Sequence, residues 1–298
     1  MLKLHNWIDI NKIYWTSLSE NPNAIQLLKQ NENNIVWFNM SFNPNSFEFF
    51  NKNKNKICWS MVSLYIKEIE LLKQNESNIN WLLLSENPYA ITLLKNNKSK
   101  IYWCRLSLNL NAIDLLEENQ DKINWYYLSV NPNAISLLNK NQNKIDWKML
   151  SLNPNAIELL KQNKEKINWD NLSKNSNAID ILKENKDKIN WLNLSKNKNA
   201  INILKENKDK IDWDVFSENP NAINILKENQ NKINWWFFSK NPNIFTYDYV
   251  KMKDTIKKSG IAEELMCVIF HPKNMNKWID WGFTEHQDFL EFIDNKFL

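Results

Sequence analysis

A tryptophan recurs every 22 residues along most of this chain, without a single insertion or deletion. Eleven tryptophans lie on this grid, from Trp15 to Trp235. An isoleucine stands two places before each of them, and a serine stands four places after each. A fixed period of this length is typical of a solenoid, in which each unit packs mainly on its neighbours. The pattern therefore predicts one elongated array of eleven repeats instead of round domains.

The extent of the repeat predicts the domain organisation. The repeated unit reads I-x-W-x-x-L-S-x-N-P-N-A-I-x-L-L-x-x-N-x-x-K. It predicts an N-terminal cap over residues 1–12, an eleven-repeat solenoid over 13–243 and a helical C-terminal cap over 244–298. Within the last segment, residues 259–270 have the apolar spacing of an amphipathic helix that Pro272 would end. Caps of this kind cover the last core face of a solenoid.

Each repeat favours two helices. The second half, as in residues 131–141, starts with an Asn that can cap a helix, followed by a Pro at the first helical position. Apolar residues then follow at i, i+1, i+3 and i+4, which makes one apolar stripe. Asn141 and its equivalents stand where a chain leaving a helix often takes a left-handed conformation, and we predict that role for them. The first half, as in residues 168–173, resembles a shorter helix, with Asn or Asp before the Trp as its cap in seven repeats.

A leucine-rich-repeat-like β/α solenoid is the alternative fold. The triplet Ile-x-Trp alternates like a short strand, and the period lies in the range of leucine-rich repeats. Against this, the position that should carry Asn or Cys carries Leu, Met, Val or Phe. We therefore predict an all-α fold, an α-solenoid of two-helix repeats, with the strand interpretation of Ile-x-Trp left open.

Composition excludes several classes of function. The only glycines are Gly260 and Gly282, so the repeats have no glycine-rich loop that could close around phosphate. The cysteines, Cys58, Cys104 and Cys267, are odd in number and share no repeat column, which favours a reducing compartment over a disulfide framework. The sequence has no apolar run of membrane-spanning length and no signal-peptide pattern. We expect an intracellular protein that is neither secreted nor inserted into a membrane.

The sequence contains no catalytic or metal-binding constellation. The histidines, His5, His271 and His286, lie apart from any Cys or carboxylate cluster with metal spacing. The serine column has no His partner, and we expect its hydroxyls to bond the backbone between the two helices of a repeat. The tryptophan column is expected to be core packing, because each unit meets the same neighbours. We predict a protein that is not an enzyme and needs no cofactor or metal.

The two positions after each grid tryptophan vary, and they define a candidate protein-binding surface. If a helix forms there, both positions point away from the face that carries Trp and Leu. Large apolar pairs occupy them in several repeats, and the candidate residues are Leu82, Leu83, Tyr126, Tyr127, Trp236 and Phe237. Exposed apolar side chains of this kind are typical anchors for a protein partner. Packing into adjacent repeats is the alternative interpretation.

A lysine stands three places before the tryptophan in nine of the eleven repeats. The candidate basic stripe comprises Lys122, Lys144, Lys166, Lys188, Lys210 and Lys232. Repeats stacked about 10 Å apart would align these charges into a row that could follow a phosphate backbone. Neighbouring Asp and Glu residues offset the row, and the net charge is only +4. Nucleic-acid binding is therefore the alternative function, and a solvated face is the plainer explanation of the column.

The segments INWWFFSKNPNIF and IDWKMLSLNPNAIELLKQN, together with the tail ELMCVIFHPKNMNKWIDWGF, carry a family resemblance. The chain resembles short-repeat proteins of unsettled function that giant nucleocytoplasmic DNA viruses of protists, mimivirus-like ones above all, encode in multiple copies. The resemblance covers nearly the whole chain. It implies a viral repeat protein made in the host cytoplasm, with a host factor or a virion component as its partner. It supplies no catalytic residues and names no ligand.

Overall fold

The computed structural model describes residues 1–259, and each repeat contributes a helix A and, except for the last, a helix B. Helices A span Trp15–Glu20, Trp37–Met40, Trp59–Tyr65, Trp81–Leu84, Trp103–Leu106, Trp125–Val130, Trp147–Leu150, Trp169–Lys174, Trp191–Lys196, Trp213–Phe216 and Trp235–Phe238. Helices B span Ile25–Gln30, Phe47–Lys52, Ile69–Lys73, Ile91–Lys95, Ile113–Glu117, Ile135–Lys140, Ile157–Gln162, Ile179–Glu184, Ile201–Glu206 and Ile223–Glu228. The predicted helical solenoid is confirmed.

The strand interpretation of Ile-x-Trp is wrong. The residue before the tryptophan is extended, with φ −83° and ψ 103° at Asp146, but the helix begins at the next residue. In all seven repeats with Asn or Asp at this position, the side chain accepts a hydrogen bond from a backbone N–H of the first turn. The predicted caps of helix A are therefore confirmed. The strands of the described part, β1 (Leu2–Leu4) and β2 (Phe245–Tyr247), lie outside these triplets and pair with each other.

Helix B begins and ends with asparagines. Asn131 accepts a hydrogen bond from the backbone N–H of Asn133 at 3.0 Å, and a 3₁₀ turn then leads into the helix. The predicted Asn cap is therefore confirmed, although the α-helix starts three residues after the proline. The predicted left-handed conformation of Asn141 is wrong, since its φ is −133°. Its Nδ2 instead donates to the carbonyl of Leu137 at 3.0 Å, which satisfies a carbonyl group that the helix end leaves free.

A buried asparagine column holds neighbouring repeats in register. Nδ2 of Asn153 donates to the carbonyl oxygens of Ser129 at 3.0 Å and Asn131 at 2.8 Å, both in the preceding repeat, and its Oδ1 accepts from the N–H of Asn155. Ten repeats carry this Asn, and each donates to two carbonyls of the preceding repeat. Repeat 3 differs, because Tyr65 replaces the Asn and extends helix A. A buried amide is costly unless it is hydrogen-bonded. A shift of one repeat relative to the next would break these bonds and is therefore unfavourable.

The serine column makes a second connection between repeats. Ser129 Oγ donates to the carbonyl of Trp125 at 2.7 Å and accepts from the backbone N–H of Asp146 at 3.0 Å. All eleven serines of the column make both bonds. Because Asp146 belongs to the next repeat, the serines link successive repeats and not the two helices of one repeat, as the sequence had suggested.

Two serines of one helix give a matched test of this connection. Ser17 and Ser19 are both fully buried, but Ser19 makes the two bonds of the column while Ser17 Oγ has no partner among the described residues. Replacing Ser19 with Ala is expected to lower the free energy of unfolding by about 1–3 kcal/mol, since the Val36 N–H loses its partner at the interface between two repeats. Ser17→Ala should be neutral or stabilising. Urea unfolding of both variants checks this, and equal losses would contradict the assigned roles.

The unit from Leu4 to Phe245 closes into a ring. Nδ2 of Asn21, in repeat 1, donates to the carbonyl oxygens of Ser239 at 3.1 Å and Asn241 at 2.9 Å, in repeat 11. The N–H of Tyr14 likewise donates to Ser239 Oγ at 3.0 Å. These are the bonds that the other repeats make to their predecessors, so repeat 11 precedes repeat 1 in space. The prediction of an elongated array is therefore wrong for this unit.

Segments from both ends of the array together complete repeat 11, where the ring closes. Repeat 11 has no helix B, because the chain continues from its helix A through a turn into β2. Residues from the other end of the unit take that place: the His5 N–H donates to the Ile244 carbonyl at 3.1 Å, and the Trp7 ring lies 5.7 Å from the Phe238 ring. The 3₁₀ turn Ile10–Lys12 then leads into repeat 1. This joint, here called the seam, is held without a covalent link.

Helices A form the inner wall of the ring and helices B its outer wall. Elements nearer the axis of a ring must lie closer together, and neighbouring helices A pack directly on one another. Neighbouring helices B leave open grooves, such as the one lined by Ile201, Lys205 and Asn224. Side chains on the helix A side of the ring are also more shielded, since that of Glu86, in the turn after helix A of repeat 4, is 28 % exposed whereas that of Glu158, on a helix B, is 80 % exposed.

A second compact unit contains Met1–Lys3 and the chain from Thr246 onward. Its described part includes the helix Tyr249–Lys258, and the Asp248 N–H donates to the Met1 carbonyl at 3.1 Å. The predicted helix over 259–270 lies outside the described residues, apart from Ser259. The boundaries of the predicted caps therefore stay predictions.

Candidate protein-binding surface

The six candidate anchors lie on helices A, on the side that faces the hole of the ring. At the first position after the tryptophan, Tyr126 is 46 % and Trp236 is 40 % exposed, while Leu82 is half-buried. At the second position Leu83, Tyr127 and Phe237 are half-buried. The rings of Tyr126 and Tyr127 meet edge to face at 5.2 Å, and those of Trp236 and Phe237 at 4.8 Å. The structure thus exposes the first side chain of both aromatic pairs, whereas Leu82 and Leu83 are both half-buried.

The inner face also includes residues that the search for apolar pairs missed. Phe38 and Leu192 stand alone at the first position and are 60 % and 49 % exposed. The position five after the tryptophan lies one helical turn from the first, as in Phe42, whose ring is 5.5 Å from that of Phe38. We define the inner face as the first, second and fifth positions after each grid tryptophan. An i, i+4 search along helix A would have found the fifth position.

Tyr65 marks how strongly the inner face is curved. Its ring lies 5.9 Å from that of Phe42. Burial, with the nearby carboxylates of Glu86 and Glu20, raises the pKa of the Tyr65 hydroxyl. These carboxylates belong to repeats 4 and 1, on opposite sides of repeat 3. A concave wall explains why groups from separate repeats act on one side chain.

The inner face carries equal numbers of positive and negative side chains. Its basic residues are Arg105, Lys148, Lys174, Lys196 and Lys240, and its acidic residues are Glu20, Glu86, Asp170, Asp214 and Glu218. Some pair across neighbouring repeats: Arg105 lies 3.2 Å from Glu86, and Lys240 lies 2.8 Å from Glu20 across the seam. Since the charges cancel, this wall does not form a positively charged channel.

The lysines of the candidate basic stripe cover tryptophan rings. Lys122, Lys144, Lys166, Lys188, Lys210 and Lys232 each place Nζ 4.4–4.7 Å from the centroid of the tryptophan 19 residues earlier. Lys12 makes the same contact with Trp235 across the seam, at 5.3 Å. The grid tryptophans are half-buried and not fully buried core, and the lysine completes their packing. The column thus has a structural cause that does not require nucleic acid.

Two lysines of one 3₁₀ turn give a matched test of the contact between lysine and tryptophan. Lys188 lies over Trp169, whereas Lys186, in the same 3₁₀ turn, is exposed and makes no described ring contact. Lys188→Met is expected to lower the free energy of unfolding by about 0.5–1 kcal/mol. Lys186→Met should change it by less than about 0.5 kcal/mol. Urea unfolding measures both, and a loss for Lys186→Met as large as that for Lys188→Met would contradict the assignment.

Other kinds of site find little support in the described residues. The serine column is buried, and residues 1–259 contain no group of three His, Cys, Asp or Glu side chains that could hold a metal ion. None of the helices in that range is long and apolar enough to cross a membrane. Fold and surface together define a closed ring of helical repeats with an aromatic-bearing inner face. Comparisons with protein-family models, curated proteins and solved structures found no match to this chain.

Proposed function

We propose that this protein is a non-enzymatic repeat scaffold that binds a protein partner through the inner face of its ring. The observation that carries the proposal is the exposure of three aromatic side chains at the first position, Phe38, Tyr126 and Trp236, at 60 %, 46 % and 40 %. The fold does not need large apolar groups there, since the equivalent residues of repeats 8 and 10 are Asp170 and Asp214. Exposed aromatic residues are the usual anchors of protein interfaces.

Nucleic-acid binding along the lysine stripe remains the alternative. The stripe lysines are exposed as well as packed on tryptophan, so their charges stay accessible. Against it, the inner face is neutral in sum and the acidic side chains near the stripe offset its charge. Following the viral resemblance, we propose a host factor or another virion component as the partner, with the host cytoplasm or the virion as the location.

Capture of partners by matched variants tests the proposal. The bait is the full chain, incubated with lysate of the cells that naturally produce it, with and without nuclease. We expect nuclease-resistant recovery of a protein with the wild type, and its loss with Tyr126→Ser/Trp236→Ser, which changes only exposed side chains. The larger variant that also carries Tyr127→Ser and Phe237→Ser serves if it unfolds like the wild type.

A second bait distinguishes the alternative. It carries Glu in place of Lys122, Lys144, Lys166, Lys188 and Lys210, and it is used once circular dichroism shows the helix content of the wild type, because these lysines also pack on tryptophan rings. Recovery that vanishes with nuclease and with this bait, but survives Tyr126→Ser/Trp236→Ser, would replace protein binding by nucleic-acid binding. Such binding should also weaken steeply as the salt concentration rises.

A further inference from the structure

Apolar and polar side chains are segregated around the inner face. Repeats 2 to 7 carry mainly apolar residues at its three positions, among them Phe38, Phe42, Leu82, Leu108, Tyr126 and Leu152. We call this part the apolar arc. Repeats 8 to 10 carry mainly polar ones, among them Asp170, Lys174, Asn193, Lys196, Asp214 and Glu218, and we call this part the polar arc. The hole of the ring therefore has one apolar side and one polar side.

The apolar arc is large enough to anchor a partner. Aromatic side chains offer about 150–250 Å² each, so Phe38, Tyr65 and Tyr126, at their exposures of 60 %, 40 % and 46 %, present roughly 300 Å². That is the lower end of the range for the largest apolar patch of a typical monomer, about 300–600 Å², before the aliphatic residues between them are added. We add Tyr65, at the sixth position, to the arc, because helix A of repeat 3 extends to it and its ring lies 5.9 Å from that of Phe42.

The size of the hole limits what can lie against this arc. Helix axes 8–10 Å apart, eleven to the ring, lie at a radius of roughly 14–18 Å. After allowance for side chains, the hole is roughly 17–25 Å across. An α-helix is about 10–12 Å in diameter, so one helix can enter and rest on one arc while water fills the space beside the other.

The backbone of the wall indicates which secondary structure the partner has. An extended peptide gains affinity mainly from main-chain hydrogen bonds to a sheet edge. Here the wall consists of helices, and between the helices the serine and asparagine columns already use backbone groups such as the Trp125 and Ser129 carbonyls. A segment buried against this wall has to satisfy its own backbone groups. A helix does so, and an apolar stripe on one side of it matches the apolar arc.

We infer that the apolar arc binds an amphipathic α-helix of the partner, with the apolar stripe of that helix against repeats 2 to 7 and its polar side toward repeats 8 to 10. This inference rests on the proposed function and adds the class of ligand. Its contact residues in the arc include Phe38, Leu82 and Tyr126. Trp236 lies outside the arc, on repeat 11, and is not required for this contact.

Selection from a random peptide library tests the inference without knowledge of the partner. The probe is a displayed library of peptides of about 16 residues, which span about 24 Å when helical. It is selected on the full chain and then measured on two variants. The arc variant carries Phe38→Ser, Leu82→Ser and Tyr126→Ser. The control variant, Leu192→Ser, removes an apolar side chain of similar exposure from the polar arc.

We expect enriched peptides with apolar residues spaced three and four apart, which become helical on binding and lose more than about 30-fold in affinity on the arc variant. The control variant should bind within about threefold of the wild type. Peptides that need the arc but lack helical spacing would overturn the helix and leave protein binding by the inner face intact. Equal affinity for the arc variant, or no enrichment, would overturn the site itself. Unchanged unfolding curves of both variants exclude loss of the fold.

Discussion

Replacing Asn153 with Leu is expected to lower the free energy of unfolding by about 3 kcal/mol, a large share of the stability of an ordinary domain. Asn153 is fully buried and makes three hydrogen bonds, to the carbonyls of Ser129 and Asn131 and from the N–H of Asn155. Leucine has the same number of side-chain heavy atoms as asparagine, so the change removes the bonds without opening a cavity. The two carbonyls lose a partner inside an interface between repeats, where water cannot easily replace it.

A neighbouring asparagine provides the control for this prediction. Asn155 also donates across the interface, to the carbonyl of Pro132 at 2.9 Å, but it does so at the surface. Asn155→Ala should therefore cost no more than about 1 kcal/mol, because water can take over its bond. Urea unfolding of both variants, followed by circular dichroism, gives the comparison. If Asn153→Leu cost as little as Asn155→Ala, the buried column would not be what holds the repeats in register.

The sequence predicted the helices because their signals are local. The Asn or Asp before the tryptophan, the Asn-Pro pair before helix B and the apolar stripe each act within one turn of helix. The roles of columns were harder to predict, because they depend on the neighbouring repeat. Asn153 is both a cap for Asn155 and a donor to the preceding repeat, and only the first role can be deduced from its spacing.

Closure of the ring could not be predicted from the repeat pattern. A perfect period states that each unit meets its neighbour in the same way, but the number of units in a full turn depends on small rotations that no residue type encodes. The signal that closure leaves is at the ends. Repeat 11 lacks the apolar pair of helix B, with Tyr247 and Asp248 in its place, and Trp7 and Ile8 precede repeat 1. These irregularities predicted end caps, and in the ring Trp7 packs on Phe238 of repeat 11.

The candidate surface was predicted only in part, because its full extent depends on closure of the ring. Variation marks positions that the scaffold does not restrict, so pairs such as Tyr126 and Tyr127 were found by sequence alone. Which side of helix A faces the hole follows from closure, and so does the addition of Phe42 and its equivalents. The lysine column was open to two interpretations because its contact, the ring of the tryptophan 19 residues earlier, is distant along the chain.

Replacing Asn21 with Leu is expected to open the ring, which the same change at position 153 should not do. Asn21 makes the bonds of its column to Ser239 and Asn241, across the one joint that no peptide bond spans. Loss of about 3 kcal/mol there raises the population of the open form on the order of 100-fold. At Asn153 the same loss falls between repeats that the chain itself holds together.

Hydrogen exchange and small-angle scattering distinguish the two variants. In Asn21→Leu the Tyr14 N–H, which donates to Ser239 Oγ, should exchange on the order of 100-fold faster than in the wild type, while the Asp146 N–H bonded to Ser129 should change little. Adding Trp7→Ala should increase the radius of gyration, because the seam then also loses the contact with Phe238. Equal protection of Tyr14 in Asn21→Leu and Asn153→Leu would mean that the seam is no weaker than the covalent joints. In that case the ring would behave as one cooperative body, and a partner could reach the inner face only through the hole.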